Sequence, residues 1–110
     1  MSFYLFKGQY STDSLRALVD KPEDREAVAG EMISAMGGTL HHLFFCFGED
    51  DVMALIEAPD DEVMAACALV VGASGTMAGG ATTKLMTSKE AVSAMEKAKA
   101  GQKSYKPVGS

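Results

Sequence analysis

The stretch Gly37-Gly38-Thr39-Leu40-His41-His42-Leu43-Phe44-Phe45-Cys46-Phe47-Gly48-Glu49-Asp50-Asp51-Val52-Met53-Ala54-Leu55-Ile56-Glu57-Ala58, followed by Pro59-Asp60-Asp61-Glu62, decides the fold. Gly37-Gly38 ends a helix, because glycine tolerates the left-handed backbone just past a helix terminus. Thr39–Phe47 is rich in aromatic and aliphatic residues and reads as a strand. Gly48-Glu49-Asp50 is a turn, and residues 51–58 form a second strand, so the two pair as an antiparallel hairpin. Pro59-Asp60-Asp61-Glu62 opens a new helix, with a carboxylate as cap and acids at the positive end of the dipole.

The first strand of this hairpin is apolar on both faces. Strict alternation groups Leu40, His42, Phe44 and Cys46 on one side, and Thr39, His41, Leu43, Phe45 and Phe47 on the other. In the second strand Val52, Ala54 and Ile56 oppose Met53 and Leu55. An antiparallel sheet with one wet face should be polar at alternate positions. A doubly apolar hairpin therefore predicts a partner surface on the face its own helices leave open. The simplest solution is a homodimer, or a higher homo-oligomer, with sheets packed face to face. Each buried apolar side chain adds about 1.5–3 kcal/mol to such a contact.

Outward from the hairpin, residues 2–10 read as another strand, since Phe3, Tyr4, Leu5 and Phe6 suit a pleated surface. Ser11-Thr12-Asp13-Ser14 is cap chemistry, and Leu15, Leu18 and Val19 follow at helical spacing. Pro22 suits the first turn of a longer helix over about 22–36, with Asp20 as cap and Val28, Met32, Ala35 and Met36 as its buried stripe. After the hairpin, Val63, Ala66, Cys67 and Val70 mark the inner face of the next helix. Residues 72–80 are glycine-rich and read as a flexible loop or lid, and residues 81–86 as a fourth strand. Thr87-Ser88-Lys89-Glu90 is a capping box for a last helix to about Ala100. The order β-α-β-β-α-β plus a C-terminal helix predicts an α+β, ferredoxin-like fold: a four-stranded antiparallel sheet with helices on one face. The 110 residues correspond to one domain over 1–100 and a mobile tail over 101–110.

These residues resemble the GYD-domain family. The resemblance rests on Gly37-Gly38, on the turn Gly48-Glu49-Asp50-Asp51-Val52 and on Glu57-Ala58-Pro59-Asp60-Asp61-Glu62, and it covers residues 2 to 95. It implies a dimeric α+β barrel and a family mostly without an assigned activity. The family is named for a Gly-Tyr-Asp signature. Here Gly48 and Asp51 match, with Glu49 between, and Asp50 stands where the tyrosine would be.

The net charge of −5 argues against a nucleic-acid partner, since a phosphate backbone needs a basic face. No apolar run approaches the roughly 20 residues of a membrane span, and the N-terminus lacks the charge pattern of a signal peptide. These features predict a cytoplasmic protein with no membrane partner. Cys46 and Cys67 read as reduced, buried small hydrophobes, because no CxxC or His-Cys spacing supports a metal pair. No metal and no cofactor are expected. Residues 72–80 lack the order of a phosphate loop and precede a strand rather than a helix. The methionines read as adaptable core filler. The acids of the Gly48–Asp51 turn have no cation-binding spacing and suit turn roles. Lys97, Lys99, Lys103 and Lys106 make the C-terminus basic against an acidic body, which fits solvation or an intersubunit contact.

The residues with chemical potential are few. Adjacent strand residues alternate, so His41 and His42 are expected on opposite faces and cannot chelate one metal together. One of them would face the barrel interior as an acid-base or ligand-binding group. Tyr4, Lys7 and Tyr10, with His42, would line a cavity between sheet and helices that takes a small molecule. Two further readings stand beside that of a homo-oligomeric small-molecule binder. One is a metal-independent barrel enzyme of isomerase, lyase or oxygenase type, with His41 or His42 and Tyr10 as acid-base groups. The other is a purely structural or interaction module, which a filled sheet interface would favour.

Overall fold

The computed structural model describes residues 1–110. In chain order the elements are β1 (Ser2–Tyr10), α1 (Thr12–Asp20), α2 (Arg25–Ala35), β2 (Thr39–Phe45), β3 (Val52–Ala58), α3 (Asp61–Ala73), β4 (Met77–Leu85) and α4 (Ser88–Gly101). A single 3₁₀ turn over Gln102–Ser104 follows α4. The four strands form one antiparallel sheet in the order β2-β3-β1-β4. This is the ferredoxin-like arrangement, with the two central strands coming from the two halves of the chain.

Helix starts follow cap chemistry. Ser11, Asp24, Asp60 and Thr87 each accept a hydrogen bond from a backbone N–H in the first turn of α1, α2, α3 and α4. Thr87 and Glu90 complete a reciprocal capping box, and the bond to Thr87 holds the Glu90 carboxyl below its usual range. The second helix departs from expectation: it begins at Arg25 under Asp24, and Pro22 lies outside it. Asp24 wins over Asp20 because its carboxylate reaches two first-turn N–H groups, those of Glu26 and Ala27. Gly37 ends this helix at φ +87°, where a Cβ would be strained.

The core lies between α2, α3 and one sheet face. Ile33, Met64 and Cys67 from the helices meet Tyr4, Ala54, Ile56 and Ala58 from the sheet, all at 5% exposure or less. Burial pushes the Cys67 thiol up, which keeps it an inert core group. The helix stripes follow periodicity in part: Cys67 is in the core, and Met32, Met36 and Val63 pack against it. In α2 Ile33 is buried while Val28 is exposed, and in α3 Met64 is buried while Val70 is exposed. α2 crosses toward β2, where the Glu26 carboxylate accepts the Leu43 N–H of that edge strand at 2.8 Å. α1 contributes no buried residue.

The glycine-rich stretch is not a loop or lid. α3 continues through Gly72, and β4 begins at Met77, so Gly79 and Gly80 are strand residues opposite Gln9 and Gly8. A Cβ on Gly80 would sit 2.9 Å from Cζ of Phe6 and 3.0 Å from the Lys7 carbonyl oxygen. A Cβ on Gly8 would sit 2.6 Å from Met77 Cε. Gly8 and Gly80 face each other where β1 and β4 pair, and their missing side chains leave room for the Phe6 ring laid over them.

Candidate functional site

Two irregularities in the sheet decide where the chemical side chains point. In the first, Leu40 pairs with Ile56 but His42 pairs with Leu55, leaving His41 as an extra residue in β2. A bulge of this kind shifts everything after it to the other face. Leu40, Leu43 and Phe45 therefore oppose Ile56, Ala54 and Val52 on the helix-covered side, and His42 and Phe44 oppose Leu55 and Met53 on the open side. His41 also turns to the open side. Its Nε2 lies 2.9 Å from Glu57 Oε1, and its ring centroid is 5.7 Å from that of Phe3. The expectation that the two histidines occupy opposite faces is thus corrected: the extra residue brings both to the open one. His42 stacks on Phe44 at 5.6 Å and 17°. No group of three or more His, Cys, Asp or Glu side chains is arranged to hold a metal.

The second irregularity is at Gln9/Tyr10, where the β1–β4 register skips Ala78. There the Tyr10 N–H turns to the Asp51 carboxylate, at 3.0 Å from Oδ2. Asp50 accepts from Gln9 Nε2 at 2.6 Å, and the Asp51 N–H donates to the Gly8 carbonyl at 2.9 Å. The acids of the turn are thus spent on the end of β1. Asp51, which matches the family signature, sets the position of Tyr10.

Tyr10 stands at the end of a cleft between the sheet and the helices. Its ring is buried and stacks on Phe45, with centroids 5.6 Å apart. Burial pushes its phenol up, while the neighbouring Arg25 guanidinium pulls the other way. The cleft has about 80 Å³ of free space and is lined almost wholly by apolar side chains, among them Phe6, Met32, Leu43, Cys67, Val71 and Met77. Its polar lining is Arg25, Thr76 and the Tyr10 hydroxyl. The same three residues also bound a second, polar hollow of about 240 Å³ that contains Ser14, Lys21 and Glu23. Arg25 Nη1 is 2.6 Å from Glu23 Oε1, leaving the rest of its five-donor fork for other acceptors. An apolar slot closed by tyrosine, arginine and threonine suits a ligand with a hydrocarbon body and an acceptor head.

The residues singled out in the sequence are not assembled into one site. Only Tyr10 reaches the cleft. Lys7 lies opposite Met53, on the same open face as the histidines. Tyr4 is buried on the covered face, and its hydroxyl donates to Asp61 Oδ1 at 2.6 Å. Lys84 Nζ is 2.8 Å from the same oxygen. This contact holds the Asp61 carboxyl below its usual range, through Lys84 first and Tyr4 second, and raises both Lys84 and Tyr4. The three residues clasp α3 to β1 and β4. Arg25 was missed because it falls at the start of a helix with no motif around it. Only the capping aspartate just before it was a signal.

This sheet, with two helices on one face, defines an α+β domain of ferredoxin-like fold. The chain belongs to the GYD-domain family, whose model matches residues 4–95. Among solved structures it is similar to that of MtbAldR, with a TM-score of 0.57 and 13% identity over 78% of this chain and 53% of that one. The chain thus corresponds to about half the length of that protein. It is also similar to FFRP-DM1, with a TM-score of 0.50 and 10% identity over 78% of this chain and 100% of that one. At these identities the likeness concerns the fold alone. No curated protein matches by sequence. No helix is long and apolar enough to cross a membrane.

Proposed function

We propose that this chain is a homo-oligomeric GYD-domain protein that binds a small molecule with an apolar body and an acidic head in the Tyr10–Arg25 cleft. The observation that carries this reading is the shared wall of Tyr10, Arg25 and Thr76 between an apolar slot and a polar hollow. A short aliphatic chain or small ring would enter the slot. Its carboxylate would meet the Arg25 fork, a pairing that guanidinium geometry favours. An apolar slot gains from being filled, since its lining lacks contact partners on one side. The histidines do not belong to this site, because they lie across the sheet from Tyr10. A cytoplasmic setting fits the two free thiols.

The open sheet face supports the oligomer. Phe3, Leu5, Met53 and Leu55 are half-buried there, and Phe44 is 60% exposed. A second sheet would cover them. Light scattering on the purified chain should give a multiple of 11.6 kDa, and a monomer at every concentration would overturn the oligomer. Calorimetric titration with short aliphatic and aromatic carboxylates, against the corresponding amides, tests the cleft. Acids are expected to bind and amides not. Arg25→Ala is expected to weaken acid binding by about tenfold or more, equivalent to about 1.4 kcal/mol. Equal binding of acids by Arg25→Ala, or binding of none, would sink the site.

A further inference from the structure

α4 is a well-formed helix that lies outside the body of its own subunit. It starts with a complete capping box and carries Lys99 in its last turn. None of its residues is buried, and Val92 and Met95 are 50% and 65% exposed. The molecule extends 61 × 33 × 22 Å, and its radius of gyration is 18.0 Å. A closed 110-residue domain would have a radius near 13 Å. A lone helix of fourteen residues is marginal in water, and most helical stability in proteins comes from packing one face. Ala91, Val92, Met95 and Ala98 recur at helical spacing, so α4 has such a face and nothing in its own subunit to lay it on.

Charge indicates the partner. Residues 88–110 hold five lysines and two glutamates, a net charge of +3. The whole chain carries −5, so the residues before them carry −8. A basic arm on an acidic body is complementary to another acidic body of the same kind. Nucleic acid fits poorly, because the −8 body would repel the phosphates that the arm attracts.

We propose that α4 is a reciprocal arm that packs on a second copy of this chain, with Val92 and Met95 against its apolar surface and Lys97, Lys99 and Lys103 against its acids. In a two-fold dimer each body receives the other's arm, so two +3 segments offset the repulsion between two −8 bodies. The proposal rests on the oligomer reading above and adds a second contact, separate from the open sheet face.

The test uses the full chain in three forms: wild type, Val92→Asp/Met95→Asp, and Lys97→Glu/Lys99→Glu/Lys103→Glu. All substituted positions are exposed, and circular dichroism checks that each variant is folded. By analytical ultracentrifugation, each variant is expected to raise the dimer dissociation constant by about tenfold or more. High salt is expected to weaken the wild-type dimer and to strengthen that of the triple-glutamate variant, whose arms carry −3 and repel the acidic bodies. A photo-crosslinking residue at position 95 is expected to give covalent dimers. A wild-type monomer would overturn the oligomer reading and the arm together. A wild-type dimer with unchanged dissociation constants in both variants, or with crosslinks only within one chain, would overturn the arm alone.

Discussion

The two faces of the sheet are built from nearly the same residues and have different fates. Along β3, Val52, Ala54, Ile56 and Ala58 are 1–5% exposed, while Met53, Leu55 and Glu57 between them are only half-buried. Hydrophobicity alone does not separate Ile56 from Leu55. What separates them is that α2 and α3 cover one side and no element of the chain covers the other. An apolar strand residue is a core residue or an interface residue according to what the rest of the chain lays over it.

Substitutions on one strand can break that comparison. Ile56→Ala opens a hole in the covered core and is expected to lower the unfolding free energy by about 2–5 kcal/mol in chemical denaturation. Leu55→Asp, one residue away on the open face, is expected to leave a folded chain and to dissociate the proposed oligomer in light scattering. If Leu55→Asp unfolds the protein while Ile56→Ala is mild, the assignment of the two faces is wrong. A smaller effect sharpens the boundary at the cleft. Asp51→Ala removes the acceptor of the Tyr10 N–H and is expected to cost about 1 kcal/mol, with weakened acid binding in the same titration. Unchanged stability and binding would mean that the turn does not position Tyr10.

The smallest effect belongs to the clasp of Tyr4 with the exposed pair Asp61 and Lys84. The folded Asp61 carboxyl is lowered, so its contribution is present above the ordinary value near 3.9 and is lost as pH falls through the folded value. Lys84 is raised, so its contribution is present below the ordinary value near 10.4 and is lost as pH rises through the folded one. Asp61→Asn is expected to flatten the melting temperature against pH at both ends. A profile identical to that of the wild type would remove the clasp from the account of stability.

Much of the architecture was legible in the chain. Asp60 and Thr87 cap the helices that their local sequence announces, Gly37 ends the helix it follows, and the hairpin over β2 and β3 closes where glycine and acids mark a turn. These are short-range preferences, expressed within a few residues of where they act. The cleft was legible only at Tyr10. Arg25 and Thr76 carry no local motif, and three distant parts of the chain bring them to Tyr10. The glycines of β4 were misread for a similar reason. Gly80 looks like a loop residue until Phe6, more than seventy positions away, is seen lying against its backbone.

By itself, then, the sequence determined the order of the elements, the caps of α3 and α4, the family and the surplus of apolar surface. These depend on periodicity and near-neighbour chemistry. Only the tertiary structure decided that His41 and His42 share a face, that Asp51 holds Tyr10 at the cleft, and that α4 stands away from the body. Each of these depends on strand register and on which element covers which, and a single extra residue in β2 was enough to reverse the histidine assignment.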